Sequence, residues 1–207
     1  MNSIIETLKE FKVIPVIAIE DADRALHLAD ALISGGIPLA EITFRTAAAA
    51  KVISILAKER PGLVVAAGTL LTIDQLKQAR DSGARFGVAP GTDTKVIEES
   101  LKTGFPFIPG VMTPSEISIC LNYKIKLLKI FPAGALGGIN FIKSIIGPFA
   151  HTGVMFNPTG GINRENFKSY FEIPQVIAVG GTWLATKEDI AAGNWSKIKN
   201  NCLEIHH

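Results

Sequence analysis

The chain has 207 residues, 47% hydrophobic and 19% charged, with 21 basic against 19 acidic side chains for a formal charge of +2. The charges are mixed along the chain without a basic stripe, which argues against a nucleic-acid partner, and Lys, Arg, Asp or Glu interrupts every apolar segment before it reaches membrane-spanning length. Cys120 and Cys202 form neither a C-x-x-C pair nor a disulfide framework and read as free thiols of a reducing compartment.

The opening stretch, MNSIIETLKEFKVIPVIAIE, places an amphipathic, charged segment ahead of any apolar run, unlike a signal peptide, so a cytoplasmic protein with an N-terminal helix is expected. The first strand is VIPVIAI (13–19). Residues 22–34 then set Ala25, Leu28, Ala29 and Leu32 on one helical face and stop at Gly35-Gly36. The second strand, PLAEITF (38–44), leads to a helix over 47–60 that ends before Pro61. The third, LVVAAG (63–68), leads to TIDQLKQARDSG, where Thr72 or Asp74 can cap a helix and Gly83 can end it. Strands four and five are ARFGVA (84–89) and FPFIP (105–109), with shorter helices in the middle of the chain. Thr113, three residues before Glu116, gives a capping-box pattern that opens the next helix. IKLLKIF (125–131), GVMFNP (153–158) and QVIAVG (175–180) are strands six to eight, and the last helices are expected over 163–171 and 187–203.

Eight strand–helix units in a chain of this size favour one domain, residues 1–207, closed as a (β/α)8 TIM barrel of the α/β class; an open doubly wound sheet is the alternative. No linker, low-complexity tract or composition break argues for a second domain. The chain closes on His206-His207.

In a (β/α)8 barrel the chemistry sits where strands end and helices begin, and the polar and glycine-rich positions gather there. The second strand carries Glu41, with Arg45 just past its end; the third ends in Gly68-Thr69, the fourth in Pro90-Gly91 and the fifth in Pro109-Gly110. The sixth carries Lys129, the seventh ends in Thr159-Gly160-Gly161 and the eighth in Gly180-Gly181-Thr182. Gly-Gly pairs after strands seven and eight match the usual phosphate site of such barrels, where backbone N–H groups approach an anion. Their structural alternative is a tight turn needing positive φ. A lysine inside an apolar strand is costly as an ammonium, and the neutral amine can attack a carbonyl to form a Schiff base; the plain alternative is a buried ion pair with Glu41. Glu41 suits proton transfer, or it is only that partner. Arg45 offers a fork of donors to a carboxylate or phosphate, or is a surface residue, and Thr69 could be a helix cap. His27 falls on a helix and His151 in a loop, so no pair has the placement of metal ligands.

The motifs EITFRT, AAGTLL, APG, FIPGVMTPSE, LKIFPAGALGG, NPTGGI and VGGTW, in order from about Val13 to Leu184, resemble those of the 2-dehydro-3-deoxy-6-phosphogluconate aldolase / 4-hydroxy-2-oxoglutarate aldolase family. The resemblance implies a class I aldolase that needs no metal or organic cofactor, usually a homotrimer. Its reaction yields pyruvate with glyceraldehyde 3-phosphate, or pyruvate with glyoxylate. It places the Schiff-base amine on Lys129 and the general acid/base on Glu41. Arg45 and Thr69 then hold the carboxylate of the pyruvyl portion, Pro90 of the APG motif contacts substrate, and Gly160, Gly161, Gly180, Gly181 and Thr182 cradle the phosphate. Pro158 and Thr159 complete a PTGG loop that favours the gluconate over the galactonate epimer. Two departures stand out: Gly134 occupies a position often held by glutamate, and Ala18-Ile19-Glu20 replaces a stretch that often carries a base. The competing functions are a phosphosugar isomerase or epimerase, which would want an aspartate pair or metal-binding histidines, and a non-catalytic phosphosugar-binding barrel.

Overall fold

Helix α1 (Asn2–Phe11) opens the fold and buries Ile4 and Leu8, which lie four residues apart on one face. The computed structural model describes residues 1–206; His207, the second member of the terminal pair, lies outside the described residues. Strand β1 (Val13–Ile17) is buried at every position. A 3-10 turn, Ala22–Arg24, follows, held by Asp21 accepting from the Asp23 N–H, and leads to α2 (Ala25–Ser34). The unit repeats through β2 (Leu39–Thr43), α3 (Ala49–Glu59), β3 (Val64–Gly68), α4 (Ile73–Asp81), β4 (Phe86–Val88) and α5 (Thr94–Thr103). Next come β5 (Phe107–Ile108), β6 (Gly110–Val111), α6 (Pro114–Asn122), β7 (Leu127–Ile130) and α7 (Gly138–Ile146). The chain finishes with β8 (Met155–Pro158), α8 (Phe167–Tyr170), β9 (Val179–Gly181), α9 (Lys187–Ala192) and α10 (Trp195–Leu203).

Side-chain caps set several helix starts. Thr72, rather than Asp74, caps α4 by accepting from the Gln75 N–H; Asp93 accepts from the Lys95 and Val96 N–H groups at the head of α5. Thr113 and Glu116 form the full reciprocal capping box of α6.

All strand pairs are parallel. They form a six-stranded sheet in the order β5-β4-β3-β2-β1-β9 and a three-stranded sheet in the order β6-β7-β8. Single parallel bridges also join Phe156 to Val176 and Thr159 to Gly180. Parallel strands covered on both faces require near-continuous apolar runs, which explains the aliphatic composition. Among the described residues no helix is long and apolar enough to cross a membrane.

Several expected elements change length. The fifth expected strand, 105–109, becomes two short strands on either side of Pro109, which has no N–H to give a ladder; β5 pairs with β4, while β6 pairs with β7. The expected strand at 175–180 forms its ladder only at Val179–Gly181. Before that point the backbone exchanges separate bonds with Phe156, through Gln175 O and Ile177 N. The helix expected over 187–203 is divided by Gly193, whose φ of 71° is left-handed. That expected over 163–171 contracts to α8, because Asn163 and Asn166 bond each other's backbone ahead of it.

Both cysteines are free and buried. Burial pushes the Cys202 thiol up to about 12. Cys202 lies against Gly35, where a Cβ would come within 2.5 Å of its own Cβ, so the glycine lets α10 settle on the end of α2.

Candidate active site

Lys129 is the third residue of β7 and Glu41 the third of β2. Their side chains, 88 residues apart in sequence, meet inside the sheet: Lys129 Nζ lies 3.4 Å from Glu41 Oε1, with side-chain exposures of 6% and 0%. The amine also stands 5.4 Å above the centre of the Phe131 ring, a favourable place for a cation. Removing one member of so buried a pair typically costs about 3–5 kcal/mol, while an apolar pair in its place is often neutral or stabilising, so its presence is weak evidence of a stabilising role. Chemically, such a pair sets an amine, a group able to act as a nucleophile, beside a carboxylate able to receive and return protons.

Gly68 makes the carboxylate's position possible. In register, Thr43 of β2 is paired with Gly68 of β3, and a Cβ on Gly68 would lie 2.7 Å from Glu41 Cγ and collide with its carboxylate.

A cavity of about 370 Å³ opens over this pair, within the usual size of a small-molecule site. Its wall includes Lys129, Glu41, Arg45, Thr69, Pro90, Thr159, Gly160, Gly161, Gly180, Gly181 and Thr182, so the structure brings the expected nucleophile, acid/base and substrate contacts to one place, while Gly91, Pro109-Gly110 and Pro158 are not part of that wall. Arg45 and Lys129 are the basic residues of that wall. Arg45 is exposed at the rim, its Nε donating to Thr43 Oγ1 at 3.2 Å, and Thr43 Oγ1 in turn donates to Ile17 O at 2.9 Å. Thr69 is not a helix cap, a role taken by Thr72. Its φ of 59° is left-handed, a strained state for a β-branched residue that costs about 1–3 kcal/mol and that surroundings must impose.

The two glycine pairs have different reasons to be glycine. Gly160 and Gly161 have φ of 93° and 74°, a backbone open chiefly to glycine. Gly180 and Gly181 have no positive φ; a Cβ would strike Thr159 Oγ1 at the first and the Trp183 ring at the second. The segment after β7 fastens the first loop, Ala133 N donating to Thr159 O and Gly134 N to Gly160 O, both at 2.8 Å. Gly134 is close-packed there, since a Cβ on it would lie 3.1 Å from Gly161 Cα. Trp183 packs on Phe167 of α8 at 5.9 Å between ring centres.

The cavity wall also contains Val16, Phe131 and Ile162, which the sequence reading did not select. Phe131 stands two positions from Lys129, the strand spacing for a shared face, and that period was the available signal. Among the described residues no group of three or more His, Cys, Asp or Glu is placed to hold a metal ion.

The model of the "KDPG and KHG aldolase" family matches residues 4–201 of the chain. A 2-dehydro-3-deoxy-phosphogluconate aldolase of Haemophilus influenzae is 45% identical over 204 residues, covering 99% of this chain and 95% of that protein. Among solved structures, a KDPG aldolase from Legionella pneumophila, with pyruvate captured as a covalent carbinolamine intermediate, superposes with a TM-score of 0.93 at 39% identity over 97% of each chain. The Zymomonas mobilis 2-keto-3-deoxy-6-phosphogluconate aldolase with 3-phosphoglycerate has a TM-score of 0.87 at 34% identity, covering 97% of this chain and 94% of that one.

Proposed function

The chain belongs to the KDPG and KHG aldolase family, and from that premise we propose that its cavity cleaves 2-dehydro-3-deoxy-6-phosphogluconate to pyruvate and glyceraldehyde 3-phosphate by Schiff-base chemistry, with Lys129 as nucleophile. The enzyme is a carbon–carbon lyase. The observation that carries the residue assignment is the desolvated amine of Lys129, 3.4 Å from Glu41 at the base of the cavity.

The neutral amine attacks the C2 ketone, and Glu41 relays the protons as the carbinolamine forms and loses water. The resulting iminium is an electron sink. Glu41 takes the proton of the C4 hydroxyl, the C3–C4 bond breaks, and the aldehyde leaves; the enamine that remains is protonated at C3 and hydrolysed to pyruvate and free Lys129. Arg45 and Thr69 hold the carboxylate next to C2, and fixing C2 at attack distance supplies much of the rate gain. Pro90 contacts the substrate at the wall. The phosphate lies against the Gly160-Gly161 and Gly180-Gly181 backbone with Thr182, and Thr159 stands between the two loops. Glu20, in the stretch where family members often carry a basic residue, pairs with Lys187 at 2.8 Å, so the cradle works mainly through backbone and hydroxyl donors.

We read the two sheets as one closed eight-stranded barrel in one domain: only Pro109 separates β5 from β6, and the bridges Phe156–Val176 and Thr159–Gly180 span the other gap. We further assign the protein to the cytoplasm, which suits its two unpaired cysteines, and to a homotrimer.

Incubation with pyruvate followed by borohydride reduction tests the chemistry. A reduced pyruvyl adduct on the peptide containing Lys129, insensitive to chelator, is the expected result. Lys129→Ala should abolish the adduct and Glu41→Gln should lower kcat by about 10²–10⁴-fold; an adduct elsewhere, or unchanged rates, would reject the roles.

A further inference from the structure

Among the described residues, four buried side-chain polar atoms have no hydrogen-bond partner: Glu41 Oε2, Asn157 Nδ2 and Oδ1, and Thr159 Oγ1. All belong to residues that flank Lys129. Glu41 bonds the amine through its other oxygen. Asn157 of β8 is the register partner of Lys129 on β7, so their side chains leave neighbouring strands, about 5 Å apart, on one face. Thr159 comes two positions after Asn157 and returns to that face. Asn157 itself is fully buried, and a buried amide bonded at neither end is destabilising where a leucine of similar volume would not be. The cluster offers both donors and acceptors, and a buried water needs about three such partners.

We propose that Asn157 positions the water of the imine steps, the molecule released as the carbinolamine dehydrates and consumed as the product imine is hydrolysed. The inference rests on the Schiff-base reading above. In dehydration the C2–O bond breaks, the departing hydroxyl takes a proton from Glu41, and water leaves behind the C2=N iminium. In hydrolysis water adds its oxygen to C2 while Glu41 receives one of its protons; Glu41 passes that proton to the Lys129 nitrogen as the C2–N bond breaks, and takes up the proton that the C2 hydroxyl releases as the carbonyl forms. Asn157 Oδ1 accepts from this water and Nδ2 donates to it, turning its oxygen toward C2. The amide bonds to no reacting carbon or nitrogen, which makes Asn157 a positioning residue.

The test compares two isotopic exchanges of pyruvate on the intact protein. Oxygen-18 enters the C2 carbonyl from labelled water only when water leaves and returns, and the uncatalysed rate is subtracted. Deuterium enters the methyl group when the iminium loses and regains a C3 proton, an event that can recur before hydrolysis. Asn157→Leu should slow oxygen exchange relative to deuterium exchange by about tenfold, the rate equivalent of one hydrogen bond. Asn157→Ser, whose hydroxyl can hold the water, should recover most of that loss. Should the leucine variant fail to fold, Asn157→Val is read the same way. A parallel fall in both exchanges, or an unchanged ratio, overturns the role of Asn157. If the parent protein exchanges neither isotope, the Schiff-base reading falls and takes this one with it.

Discussion

A single missing Cβ governs where the carboxylate stands. Because a methyl group on Gly68 would occupy the place of the Glu41 carboxyl, Gly68→Ala should displace the proposed general acid/base while leaving both neighbouring strands paired. The expected outcome is a fall in kcat of about 10²-fold or more with the far-UV circular dichroism unchanged; wild-type turnover would show that Glu41 tolerates the shift. Lys129 and Glu41 were legible in the sequence because each puts a charge inside an apolar strand, where physics demands a partner or a purpose. Phe131 and Val16 were not, since an apolar residue in a buried strand looks the same whether it fills the core or faces a cavity. Gly68 was visible only as the end of a strand, because its reason lies on the neighbouring strand.

At the level of elements, the junction of α9 and α10 is held by one buried carboxylate. Asp189 accepts from Asn194 Nδ2 at 2.9 Å, Lys197 Nζ at 3.0 Å and Thr186 Oγ1 at 3.1 Å, while its N–H donates back to Thr186. The Asn194 bond above all, with those of Lys197 and Thr186, holds the Asp189 carboxyl below the usual carboxylate range despite burial, which pushes it up. A lowered folded value means that this contribution to stability is complete above the ordinary aspartate range and is lost as pH falls through the lowered one. Asp189→Asn should therefore cost on the order of 1 kcal/mol at neutral pH, and that deficit should shrink below about pH 4, as measured by urea unfolding across pH. A pH-independent deficit would contradict the assignment. Helix starts with Thr72, Thr113 and Glu116 were readable from chemistry local to the chain. By contrast α7 begins at Gly138, behind Gly137, both at positive φ and without a side-chain cap, so no local capping chemistry marks its start. Helix α5 has a cap in Asp93 and a stop in Gly104, but buries only Val96, Ile97 and Ser100, too short an apolar stripe to fix its bounds.

Across the whole molecule, repetition of strand and helix made the parallel α/β plan legible, but not the places where pairing thins. Pro109 interrupts one strand through its missing N–H, and residues 175–178 leave the ladder for reasons set by the distant strand they approach. A homotrimer should scatter light as three times the 22.2 kDa chain mass, and a monomeric mass would refute it. The two isolated bridges, Phe156 to Val176 and Thr159 to Gly180, leave a seam in the backbone bonding, in contrast to the five-residue register of β2 with β3. Amides of residues 176–178 should thus exchange with deuterium faster than those of β3, and inorganic phosphate should slow them. The loops on either side of that seam are the ones that would grip the anion, so an occupied enzyme is a fastened one: cargo acts as the clasp of the vessel that carries it.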